Sequence, residues 1–198
     1  MDEQTFTPEE SLKIINKAIM NFKVNYRESS HVFLLFGWLL ALASFSNFIA
    51  LKVLHAKEAY ELMGLYSFSI WGMFAVIGFI ALFFIVRREK KYKKVYSYID
   101  GYVNKLWWVT LVAFFVAIFI CIKLEIAPPP IMMLIAGIAT ATTGFLIKFR
   151  PLIIGGMAFF IFSIVTIFVS NEYSALIVCV AVIFGYIIPG YILKSAKE

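Results

Sequence analysis

The chain has 198 residues, of which 62% are hydrophobic and 15% charged, with a formal net charge of +6 at neutral pH. A soluble domain carries about 45–50% apolar and about 25% charged residues, so this composition excludes an ordinary water-soluble fold and a disordered chain. Mean hydropathy is +0.89, as expected of a chain that crosses a bilayer several times; two cysteines exclude a disulfide scaffold and a four-cysteine zinc site.

Residues 1–30 are predicted to form a cytoplasmic amphipathic helix. Thr7 can cap it, Pro8 suits the first helical position and Glu10 completes a capping box. Leu12, Ile15, Ile19, Phe22 and Tyr26 then recur at spacings of three and four, which makes one apolar stripe beside Lys13, Lys17, Lys23 and Arg27. Such a helix can lie among lipid headgroups, dock on a cytoplasmic protein partner, or pack under the bundle.

A helix needs about 20 apolar residues to cross a hydrocarbon core of about 30 Å. Residues 31–198 contain six qualifying stretches, at 32–51, 65–86, 106–122, 131–147, 152–169 and 173–193, none with an ionisable Asp, Glu, Lys, Arg or His. The first has some features of a cleaved signal peptide, with Ala41-Leu42-Ala43 resembling a cleavage site. Its apolar run continues to Leu51 and about 30 residues precede it, so it is expected to be retained as a span. The expected fold class is therefore all-α, a polytopic membrane helical bundle.

All 18 basic residues fall outside these spans, and placing the N-terminus in the cytoplasm puts 15 of them on that side and 3 on the other. That bias predicts that both termini are cytoplasmic. The densest cluster is the basic cytoplasmic loop 87–105, where Arg87, Arg88, Lys90, Lys91, Lys93, Lys94 and Lys105 outweigh Glu89 and Asp100. Tyr92, Val95, Tyr96, Ile99 and Tyr102 share a face within it, which predicts a short interfacial helix. The expected partner of Arg87, Arg88, Lys90, Lys91, Lys93 and Lys94 is anionic lipid, each charge near the surface contributing about 1 kcal/mol. A cluster held against the bilayer argues against a nucleic-acid partner.

The remaining connections are short. Pro128, Pro129 and Pro130 open the fourth span and Pro151 the fifth, positions where a missing N–H does no harm. The two halves of the chain share no pattern of glycines, prolines or polar residues, which argues against an inverted-repeat transporter.

Chemical groups are sparse. With no ionisable residue in any span, a proton relay through an intramembrane carboxylate is not expected. There is no protease motif and no Gly-rich phosphate loop, and His31 and His55 are predicted to lie on opposite sides of the membrane. The expectation is a protein that is not an enzyme and carries no cofactor. Three weaker constellations stand out. In the fourth span, Ala136, Thr140 and Gly144 share a face, with Gly137 and Ala141 in an adjacent row, a pattern that lets helices approach closely. Ser44, Asn47, Thr140, Thr143, Ser163 and Thr166 are candidates to line a polar cavity, although hydroxyls also satisfy themselves on their own helices. His55, Glu58 and Glu61, spaced by three, form a candidate outer-side cation site, with Glu125 and Glu172 on the same side; interspersed lysines offer ordinary surface pairing instead. Cys121 and Cys179 are expected to be small buried hydrophobes.

Glu10-Ser11-Leu12-Lys13-Ile14-Ile15-Asn16, Phe33-Leu34-Leu35-Phe36-Gly37-Trp38, the segment Leu146 to Gly156 and Gly185-Tyr186-Ile187-Ile188-Pro189-Gly190-Tyr191 together resemble an uncharacterised family of small bacterial inner-membrane proteins. The resemblance covers nearly the whole chain. It implies six spans and a bacterial inner (plasma) membrane location, and brings no activity. Two functional readings follow. One is a non-enzymatic accessory or regulatory membrane protein that contacts anionic lipid; the other is a small transporter or channel for a neutral or weakly polar solute.

Overall fold

The computed structural model describes the backbone of residues 8–92 and 98–195, and side chains at 30–85, 87 and 101–195. Among the described residues seven α-helices follow one another: α1 (Pro8–Ala56), α2 (Tyr60–Tyr92), α3 (Tyr98–Leu124), α4 (Pro128–Leu146), α5 (Arg150–Val165), α6 (Asn171–Val182) and α7 (Ile188–Ser195). A 3₁₀ turn, Thr166–Phe168, ends α5, and a π turn, Ile183–Ile187, joins α6 to α7. Among the described residues there is no strand, and six helical segments are long and apolar enough to span a membrane, with α6, the π turn and α7 forming the last.

Helix ends follow the breakers in the sequence. Pro128, Pro129 and Pro130 occupy the first turn of α4, so three of the N–H groups that a helix start leaves unpaired are absent. Three helices end on a charged residue in the left-handed region: Glu58 after α1 (φ 55°), Glu125 after α3 (φ 55°) and Lys148 after α4 (φ 54°). At the first, the Ala59 N–H donates to the Leu54 carbonyl and the Glu58 N–H to that of His55; at the third, Phe149 and Lys148 do the same with Gly144 and Phe145. These paired bonds close each helix and reverse the chain within about three residues, which makes sequence neighbours antiparallel.

Where breakers are missing, helices run on. The expectation of an amphipathic helix separate from the first span is not met by the backbone, which is one helix from Pro8 to Ala56 with no proline after its first residue. The apolar stripe on residues 12–26 lies outside the described side chains, and Thr7 outside the described backbone. Among the described residues of 87–105 there is no separate interfacial helix either. Arg87 to Tyr92 continue α2, and Tyr98 to Lys105 already belong to α3. Arg, Glu and Lys are good helix formers and nothing between Ile85 and Tyr92 interrupts the ladder.

The bundle is uneven. In the most apolar window of each span, 50% of the last is buried but only 6% of α2. The most extensive contact is between α4 and α5, and α1 packs on α2, α6, the π turn and α7. α2 packs on α1, and α3 on α4. The large apolar side chains on α2 and α3, such as Phe68, Phe79, Val109 and Phe119, face outward, as they do on lipid-facing helices.

The buried centre depends on small residues. A Cβ added to Gly156 would lie 2.5 Å from the Ala141 nitrogen, and one on Gly144 2.7 Å from that of Ile153. Ala136, Gly137, Thr140, Ala141 and Gly144 are all buried, so the small face of the fourth span lies at the α4–α5 contact and its surroundings. On the other side of α5, a Cβ on Gly155 would meet the Gly185 carbonyl oxygen at 2.9 Å. Two adjacent glycines thus bring α5 against α4 on one side and the π turn on the other. Dispersion between closely packed backbones replaces the hydrophobic effect as the associating force inside lipid.

Candidate functional site

Unlike the 3₁₀ turn, which ends its span, the π turn lies in the interior of one. Its cause is Pro189, which has no N–H to return to a carbonyl four or five residues back. The Ile188 N–H bonds to the Ile183 carbonyl instead, five residues away. That leaves neither position with an N–H for the Phe184 carbonyl, whose oxygen would lie 3.2 Å from a Cβ on Gly155. The irregular turn presents Tyr186 to the centre of the bundle.

Tyr186 is 5% exposed. Its ring lies 5.1 Å from that of Phe159 on α5, 6.3 Å from Phe33 on α1 and 6.5 Å from Trp107 on α3. The hydroxyl of Thr140 on α4 donates to the Tyr186 hydroxyl at 3.3 Å. Four helices besides its own therefore meet at this side chain. No feature of residue spacing singled out Tyr186; Pro189 inside an apolar run was the local sign that the last span would be irregular.

The six candidate cavity residues are all buried, but they do not share one space. Thr140 is bonded to Tyr186. Thr143 donates to the Ala139 carbonyl of its own helix at 2.7 Å. Ser163 donates across to the Pro130 carbonyl at 2.7 Å, linking α5 to the start of α4, and Thr166 donates to the Ser163 carbonyl at 2.8 Å. Ser174 on α6 adds a bond to the Thr166 carbonyl. Ser44 Oγ and Asn47 Oδ1, one turn apart on α1, are buried without a hydrogen-bond partner.

Two apolar grooves stand out on the described surface, and neither is lined by these residues. One, of about 640 Å³, lies between α3 and α4 and is walled by residues such as Trp108, Val112, Val116 and Ile135. The other, of about 240 Å³, lies between α1 and the last span, with Trp38, Phe45, Cys179 and Ile183 in its wall. Both are apolar. Cys121 is buried and Cys179 half-buried, both as free thiols.

At the far end of α1 the structure rearranges the candidate cation set. His55 Nδ1 donates to Glu172 Oε1 on α6 at 2.7 Å, and its ring stands edge-on to Tyr60 at 5.5 Å. The pair joins the last turn of α1 to the first turn of α6, where the Glu172 carboxylate suits the helix dipole. Lys52 extends its ammonium over Tyr173, 5.3 Å from the ring centroid. Glu58 forms the turn after α1 and Glu61 the first turn of α2. Among the described residues no three His, Cys, Asp or Glu side chains are grouped to hold a metal ion. Same-side placement of His55 and Glu172 was legible beforehand; the pairing across helices was not.

Of the basic cluster, Arg87 is exposed, with its guanidinium 4.1 Å from the centre of the Phe83 ring. The side chains of Arg88, Lys90 and Lys91, and all of Lys93 and Lys94, lie outside the described residues. No protein-family model, curated protein or solved structure matches the chain.

Proposed function

We propose that this is a non-enzymatic accessory or regulatory protein of the bacterial inner membrane, with both termini cytoplasmic. Its basic segment 87–105 meets anionic lipid headgroups, and its N-terminal helix is the surface for a cytoplasmic protein partner. The observation that carries this reading is the commitment of the interior hydroxyls. Thr140, Thr143, Ser163 and Thr166 donate to protein groups, and both grooves are apolar and lie elsewhere. A bundle closed by tight glycine contacts suits a scaffold better than a solute path. The test is the lipid that accompanies the purified protein. Replacing Arg87, Arg88, Lys90, Lys91, Lys93 and Lys94 by Gln is expected to abolish enrichment of anionic over zwitterionic lipid, read by mass spectrometry of the extract; unchanged enrichment would overturn the reading.

One observation favours the second reading, a small transporter or channel. Ser44 Oγ and Asn47 Oδ1 are buried and unpaired within a membrane-spanning helix, where an unsatisfied polar group costs several kcal/mol, roughly, and therefore calls for a partner. Proteoliposomes that take up glycerol or urea faster than protein-free vesicles, and lose that uptake on Asn47→Leu, would support it.

A further inference from the structure

We infer that the groove between α3 and α4 is a binding site for a single anionic phospholipid, with an acyl chain in the groove and the headgroup held at Lys105. The inference rests on the reading that residues 87–105 meet anionic lipid, and it assigns that contact to one place on the bundle.

The groove is apolar and runs along α3. Its α3 wall runs from Trp108 through Val109, Val112 and Val116 to Ile120, and Ile135 stands opposite on α4. At 1.5 Å per residue the α3 wall is about 18 Å long, slightly more than half of a hydrocarbon core of about 30 Å, which is the depth of one leaflet's chains. Lys105 lies one turn before this wall and on the same stripe, since Trp108 and Val109 are three and four residues further on. It is exposed, and its ammonium lies 5.9 Å from the Tyr102 ring with no carboxylate paired to it among the described residues. A positive charge at the mouth of an apolar trough complements a molecule with an anionic head and an apolar tail.

Other occupants fit less well. A second helix would cover the apolar wall but leave the Lys105 ammonium without an anion, whereas an anionic phospholipid supplies both parts. The outward face of α2, with Phe68, Phe79 and Phe84, is equally apolar and ends at Arg87, but it does not line this groove. It therefore serves as an internal control for ordinary lipid contact.

The test uses the full chain in nanodiscs containing phosphatidylglycerol or phosphatidylcholine with a photoactivatable diazirine midway along one acyl chain. The phosphatidylglycerol probe is expected to label residues 109–120 and Ile135 several-fold above the α2 face, which has a cation of its own at Arg87 but not this trough. The phosphatidylcholine probe should label both faces evenly. Lys105→Gln should remove the excess, as should Val112→Trp, which fills the trough; Val76→Trp on α2 should leave it intact. Even labelling by both probes, or an excess that survives Lys105→Gln, overturns the site. If the labelling is even while co-purified lipid still shows anionic enrichment, the groove assignment alone fails. Loss of both would overturn the reading of the basic segment as well.

Discussion

The Thr140 hydroxyl donates to the Tyr186 hydroxyl of another helix, both buried, and at 3.3 Å the bond is longer than an ordinary hydroxyl pair. Its effect on stability lies mainly in what its loss leaves behind. Thr140→Val is expected to cost about 1–3 kcal/mol because the Tyr186 hydroxyl becomes a buried orphan, whereas adding Tyr186→Phe should recover most of that loss. A double-mutant cycle on thermal unfolding in detergent checks this, and additive effects would show that the bond is not felt. Glycine positions differ as sharply. Gly156→Ala drives a methyl into the Ala141 backbone and should lower stability by about 1–3 kcal/mol. Gly72→Ala meets nothing within 4 Å and should be neutral or stabilising by about 1 kcal/mol, the difference in helix propensity. Equal melting temperatures for these two variants would contradict the packing described for α4 and α5.

At the scale of elements, the irregular features have backbone causes. The left-handed conformation at Glu58, Glu125 and Lys148 costs roughly 1–2 kcal/mol for a residue with a Cβ, so these ends persist because the turns that follow require them. Glu125→Gly is expected to raise stability by up to about 1 kcal/mol, measured as a higher melting temperature in detergent. A fall would mean that the carboxylate contributes more than the backbone conformation costs. The π turn has a different basis. Pro189 removes the N–H, and Gly185 makes room, since a Cβ there would overlap the Phe159 ring. Irregular turns of this kind inside helices often accompany functional sites, and here the turn brings Tyr186 into the centre of the bundle.

For the whole molecule, the charge distribution and the packing divide the protein into two ends and two layers. The inner layer is α1, α4, α5 and the last span; α2 and α3 lie outside it, against lipid. The basic asymmetry of 15 to 3 predicts which end faces the cytoplasm. In a variant with Cys121 and Cys179 replaced, a cysteine at position 58 should react with an impermeant maleimide on intact cells, and one at position 93 only after permeabilisation. The opposite pattern would invert the topology and move Lys105 to the other leaflet. The His55–Glu172 contact joins α1 to α6 at the end where both are closed by turns, and helps set the vertical register of the first and last spans.

The number of spans, their approximate limits and the small face of α4 were determined by the sequence alone, because each depends on a local property: the length of an apolar run, a proline in a first turn, small residues at helical spacing. The run-on of α1 through residue 30 was not read from the sequence, because the change in polarity there suggested a boundary, although no breaker separates Tyr26 from Val32. What the tertiary structure decided is which side chains meet. Apolar residues surround every span, so sequence cannot tell a lipid-facing Phe79 from a buried Phe159 when both environments are equally apolar. The partners of Tyr186 lie on four other helices, Glu172 reaches His55 across more than a hundred residues, and the trough beside Lys105 exists only where α3 meets α4. In water, hydrophobic periodicity marks the buried face of a helix; inside a membrane that signal is lost, and the close approach of backbones at Gly144, Gly155 and Gly156 determines the arrangement instead.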